Sequence, residues 1–96
     1  MNDSATYKAE IDKLQARAAE LATGIEEAKR EKKATEARLR AYGVTMSSNE
    51  RAELTRELVD LTEALKKMQR SLDNVSQRLS TAEQLYTQAR LYEDAL

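Results

Sequence analysis

The chain has 96 residues and a mass of 10.9 kDa, room for one domain at most. It contains no Pro, Cys, His, Trp or Phe and only two Gly, with 34% charged residues, 4% aromatic residues and a formal net charge of -1. That inventory excludes thiol and imidazole chemistry, disulfides, zinc and haem sites, and the Gly/Pro punctuation of multi-strand folds.

The first element spans about residues 4–42. Its apolar positions are Tyr7, Ile11, Leu14, Ala18, Leu21, Ile25 and Ala28, then Lys32 and Thr35, then Leu39 and Tyr42. The spacing alternates four and three, which is the heptad pattern of a helix with one seam facing a partner. Gly24 falls inside this helix and costs about 1 kcal/mol relative to alanine. It is either a close-approach site for another helix or a hinge, and the unbroken heptad favours close approach.

The connection covers residues 43–47. Tyr42-Gly43-Val44 predicts a helix end, with Gly43 left-handed and Val44 folded back on the last turn. Ser47-Ser48-Asn49-Glu50 follows as a capping box. So short a link between long helices makes an antiparallel hairpin. A continuous rod through residue 45 would have to ignore both signals.

The second helix is predicted over about 48–94, its seam running through Leu54, Leu58, Leu61, Leu65, Met68, Leu72, Val75, Leu79, Ala82, Tyr86 and Ala89. The fold class is therefore all-α: two helices of roughly 58 and 70 Å in an antiparallel coiled-coil hairpin. With the turn centred near residue 45, Ser4 lies alongside Thr87. Helix two then overhangs by about two turns, from Arg90 to Leu96.

Positions flanking the seam of helix two are mostly small and uncharged through its centre (Thr55, Thr62, Ala64, Gln69, Ser71, Ser76), whereas helix one carries Lys8, Glu10, Arg17, Lys29, Glu31, Glu36 and Arg38 there. Small flanks admit further helices, so helix two is expected to be the inner helix of an assembly. A hairpin this slender also buries little of its own surface. The expectation is a homodimer forming a four-helix bundle or larger oligomer, with a hetero-complex with another helical protein as the next choice. The self-association seam is Ile11, Leu14, Leu21, Ile25, Leu39, Leu54, Leu58, Leu61, Leu65, Met68, Leu72, Val75 and Leu79.

Lys32 interrupts the seam and is a candidate register residue, placed near Val59 with Glu57 or Asp60 in reach of its stem. Leu85, Tyr86, Leu91, Tyr92 and Leu96 widen the apolar surface at the overhanging end, a candidate partner-docking site rimmed by Arg90, Glu93 and Asp94. Met1 and Tyr7 folding over that end, or a symmetric dimer closing there, are the other ways to cover it. The basic run Lys29-Arg30-Glu31-Lys32-Lys33 is interleaved with acids, with Glu26→Arg30 and Glu36→Arg40 at i,i+4 and no aromatic to stack on bases. It reads as a solvated face, and nucleic acid is not an expected partner.

No catalytic, cofactor or metal site is expected. Carboxylates stand off the seams, no Gly-rich phosphate loop occurs, and a bundle metal site would need His. No apolar run approaches the length of a membrane span and no secretory leader is visible, so a soluble, cytoplasmic protein is expected.

Thr6-Tyr7-Lys8, Ile11, Leu14-Gln15, Ala18-Ala19-Glu20-Leu21 and Tyr42-Gly43-Val44-Thr45 resemble the N-terminal self-association segment of the bacterial histone-like nucleoid-structuring family. The resemblance covers under half of the chain. The family's DNA-binding domain, with its short Gly-Arg loop, has no counterpart in this sequence. The resemblance implies a truncated partner or antagonist of such a silencer. Secretion-system co-chaperones and phage accessory or scaffolding proteins share the general helical character. The function expected from the residues themselves is a non-enzymatic coiled-coil interaction module acting as scaffold, adaptor or chaperone-like binder.

Overall fold

The computed structural model describes residues 3–96. Two helices, α1 over Ser4–Tyr42 and α2 over Ser48–Ala95, pack against each other as a helical hairpin, with no strand among the described residues. These bounds lie within a residue of the expected ones, and both helix starts carry a local capping signal.

At the start of α1, Asp3 is the cap: its Oδ1 accepts from the Thr6 amide at 2.9 Å and from the Thr6 hydroxyl at 2.8 Å. Ser47 caps α2, its Oγ accepting from the Glu50 amide at 3.1 Å. That is the forward half of the expected box. Arg40 in the last turn of α1 and Glu50 in the first turn of α2 both complement the helix dipoles.

The end of α1 departs from expectation. Among the described residues no glycine has positive φ, so Gly43 is not left-handed. Its amide donates to the Leu39 carbonyl at 2.9 Å, continuing the helical pattern one residue further. The Tyr42 carbonyl then accepts from the amides of Thr45 and Met46, both at 3.0 Å, and from the Thr45 hydroxyl at 2.9 Å. These bonds close the helix without a left-handed residue. Val44 does not fold back but stands 96% exposed, and Met46 is the half-buried apolar side chain of the turn.

Contacts divide the chain into two units, one of Thr23–Arg70 and the other of Met1–Ala22 with Ser71–Leu96. In the turn-bearing unit, Ile25, Ala28 and Thr35 of α1 and Leu54 of α2 are buried, while Leu39, Leu58, Leu61, Leu65 and Met68 are half-buried. Tyr42, at the last seam position, is exposed, because α1 ends there. Thr35 contributes no cross-helix contact through its hydroxyl, which donates to the Glu31 carbonyl at 3.0 Å within its own helix.

Gly24 is a close-approach site. A methyl placed there would lie 3.1 Å from Met68 Sδ, and α1 runs through it as one helix. Since the Met68 thioether is flexible and half-buried, it can yield. Gly24→Ala is therefore expected to raise stability, by up to about 1 kcal/mol through helix propensity. A loss on urea unfolding would show that Met68 cannot move.

In the unit holding the chain ends, Ile11, Leu14 and Leu21 of α1 and Val75, Ala82 and Ala89 of α2 are buried, with Leu72, Leu79 and Tyr86 half-buried. Arg78 reaches across to Glu10 at 3.2 Å. The expected overhang is corrected at this end. Glu93, not Thr87, meets Ser4: its carboxylate accepts from the Ser4 amide at 2.9 Å and from the Ser4 hydroxyl at 2.7 Å. A helical side chain points toward the N-terminus of its own helix, so Glu93 leans back over the first turn of α1. Only Asp94–Leu96 remain beyond that contact, less than one turn of helix.

Candidate self-association surface

Heptad spacing alone would make the two helices equal partners, but they are buried unequally. In α1, the large apolar side chains Ile11, Leu14, Leu21 and Ile25 are each 5% exposed. In α2, only Leu54 and Val75 among the large aliphatic residues are buried, and Leu58, Leu61, Leu65, Met68, Leu72 and Leu79 keep part of their surface open. Opposite Leu58 and Leu61, α1 presents Lys32 and Thr35 in place of large apolar side chains, so these leucines are only partly covered.

Two open grooves flank the seam within Thr23–Arg70. One, of about 540 Å³, is lined by Ala34, Thr35, Leu61 and Ala64 together with the charged Glu31, Arg38, Glu57 and Asp60. The other, of about 420 Å³, lies between Lys32 and Glu36 of α1 and Thr55, Leu58, Val59, Thr62 and Glu63 of α2. Lys32 is thus near Val59 as expected. Glu57 and Asp60, however, line the opposite groove, and no ion pair joins Lys32 to either. The expected register contact does not form, because the acids lie across the seam from the lysine.

The flanks of α2 are less polar than their sequence suggests. The flanking Thr55 and Thr62 each donate their hydroxyl to the carbonyl four residues earlier, at 2.8 Å. A hydroxyl turned into its own backbone leaves the methyl as the outward group. No buried side-chain polar atom among the described residues lacks a partner.

Charges elsewhere are local. Glu26 pairs with Lys29 at 3.7 Å rather than with Arg30, and Lys8–Asp12, Arg17–Glu20 and Lys66–Glu63 are neighbours on one helix. Such exposed pairs contribute little to stability.

Of the five residues at the C-terminal end, Tyr86 is half-buried in the seam, whereas Leu85, Leu91, Tyr92 and Leu96 are exposed. Tyr7 lines a shallow groove with Ala82 and Leu85, and Met1 lies outside the described residues. The Ser4–Glu93 clamp escapes a sequence reading, since nothing local marks a partner 89 positions away. The Asp3 cap is legible as Asp-x-x-Thr.

Glu93 and Asp3 both ionise below the usual carboxylate range. For Glu93 the largest cause is the Ser4 amide, followed by the Ser4 hydroxyl; for Asp3 it is the Thr6 amide, followed by the Thr6 hydroxyl. A carboxyl lowered in the folded state stabilises the fold above its unfolded pKa, about 4.3 for Glu and 3.9 for Asp. The contribution disappears as the pH falls through the lower folded value. Glu93→Gln is accordingly expected to melt below the parent protein at pH 7, and by less at an acid pH where the carboxyl is protonated in both states. An equal gap at both pH values in thermal circular-dichroism melts would rule out a carboxylate role.

No family model, no curated protein and no solved structure matches this chain. The nucleoid-protein resemblance therefore gains no support beyond the residues quoted for it.

Proposed function

We propose that this protein is a non-enzymatic helical-hairpin interaction module that self-associates through α2 and serves as a scaffold or adaptor. The observation that carries this reading is the half-open run Leu58, Leu61, Leu65 and Met68, set between two apolar grooves. Burying such a run against a second hairpin recovers about 25 cal/mol for each Å² of apolar surface removed from water. No helix among the described residues is long and apolar enough to cross a membrane. A cytoplasmic location fits a chain without cysteine. The exposed Leu91 and Tyr92 are the place for a heterologous partner. Sedimentation velocity across a hundredfold concentration range tests the core of the proposal: the expected result is a reversible monomer–dimer equilibrium, and a monomer at every concentration overturns it.

A further inference from the structure

Residues 57, 60, 61, 64, 67, 68 and 71 of α2 follow the i, i+3, i+4, i+7 rule and form one face. Leu61, Ala64 and Met68 along this face are half-buried, and Glu57, Asp60 and Lys67 are exposed. Among the described residues, none of these three charged side chains makes an ion pair, nor does Arg70 beyond them. The charges are ordered: both acids precede Ala64 and both bases follow it. Asp60 and Lys67 lie symmetrically about the point between Glu63 and Ala64, and Glu57 and Arg70 are centred on that same point.

A helix with this charge order is complementary to itself when turned end for end. We propose that α2 packs antiparallel on α2 of a second copy of this chain, with the twofold axis beside Ala64. Asp60 of each copy then faces Lys67 of the other, and the contact occurs twice by symmetry. Leu61 of each copy then lies within one helical turn of Met68 of the other, and the small Ala64 lets the helices approach at the axis. A parallel pairing would instead set Asp60 against Asp60 and Lys67 against Lys67, so charge selects the orientation. The groove across the seam has no such arrangement, since Glu63 there is already paired with Lys66 at 3.9 Å.

This inference rests on the self-association proposed above and names its surface. Charge reversal separates the two. Asp60→Lys and Lys67→Asp are each expected to raise the dimer Kd at least tenfold at low salt, because two attractions become two repulsions. The doubly reversed chain, and a mixture of the two single variants, should recover dimerisation. Both positions are exposed, so helicity by circular dichroism should stay unchanged. The chain has no cysteine, so Ala64→Cys provides an independent readout: on oxidation it should cross-link the dimer, and Val59→Cys, in the opposite groove, should not. If the parent protein dimerises and the single reversals dimerise equally well, or the double reversal fails to recover, this surface is wrong and self-association stands. A parent protein that stays monomeric removes both.

Discussion

Truncating Leu14 to alanine lowers the unfolding free energy by about 2–4 kcal/mol, and by the same amount at every protein concentration. Leu14 is 5% exposed and belongs to the α1 seam, where α2 already supplies the covering surface. The cavity it leaves is internal to the hairpin. Leu61→Ala should behave differently. Leu61 is only half-buried and borders the open groove, so its truncation costs the single chain less and the assembly more. Chemical unfolding at low and high protein concentration reads both: a concentration-independent loss for Leu14→Ala, and a loss that grows with concentration for Leu61→Ala. Equal, concentration-independent losses would mean that the open face of α2 is covered by nothing.

Gly43→Ala is expected to destabilise the hairpin by more than about 1 kcal/mol, with Gly43→Asn no better tolerated. Any Cβ at this position collides with the Leu39 carbonyl oxygen, a backbone atom that cannot swing aside. Were Gly43 left-handed, asparagine would be the least harmful replacement, since its side chain tolerates that conformation. The pair of variants therefore distinguishes close approach from backbone handedness. Val44→Ala next to it should shift stability by less than about 0.5 kcal/mol, because the side chain touches almost nothing. A thermal melt of the three variants beside the parent protein decides the matter; a well-tolerated Gly43→Asn would contradict the observed geometry.

The helices and their seams were readable in the chain because heptad spacing and capping are local properties. Ile11, Leu14, Leu21 and Ile25 are buried where a period of 3.5 places them. Ser47 caps α2 because a serine before a helix can satisfy an amide three residues on, whatever lies further away. Lys32 shows the limit of the same reasoning. Its level along the hairpin, near Val59, follows from the register, but the side of the seam on which Glu57 and Asp60 stand depends on the rotation of α2 about its axis. Spacing along one helix does not specify that rotation closely enough to name an ion pair.

The chain ends make the same point. Counting back from the turn puts Ser4 beside Thr87, and backbone levels allow no more. The clamp to Glu93 arises because a glutamate side chain leans toward the start of its own helix and finds the unsatisfied amide of Ser4 there. The unequal burial of the two helices likewise depends on which side chains meet across the seam, where Lys32 and Thr35 of α1 lie with Leu58 and Leu61.

By itself the sequence determined that this protein is two helices joined by a five-residue turn, with one apolar seam on each and no residues for thiol or imidazole chemistry. Periodicity, capping and composition act within a few residues, so no tertiary information was needed. Only the tertiary structure decided that Glu93 closes the start of α1 and that α2 rather than α1 keeps its leucines open. Each of these depends on where distant atoms meet, through an amide within reach of a carboxylate or a facing seam that offers Lys32 and Thr35 where the leucines need apolar cover.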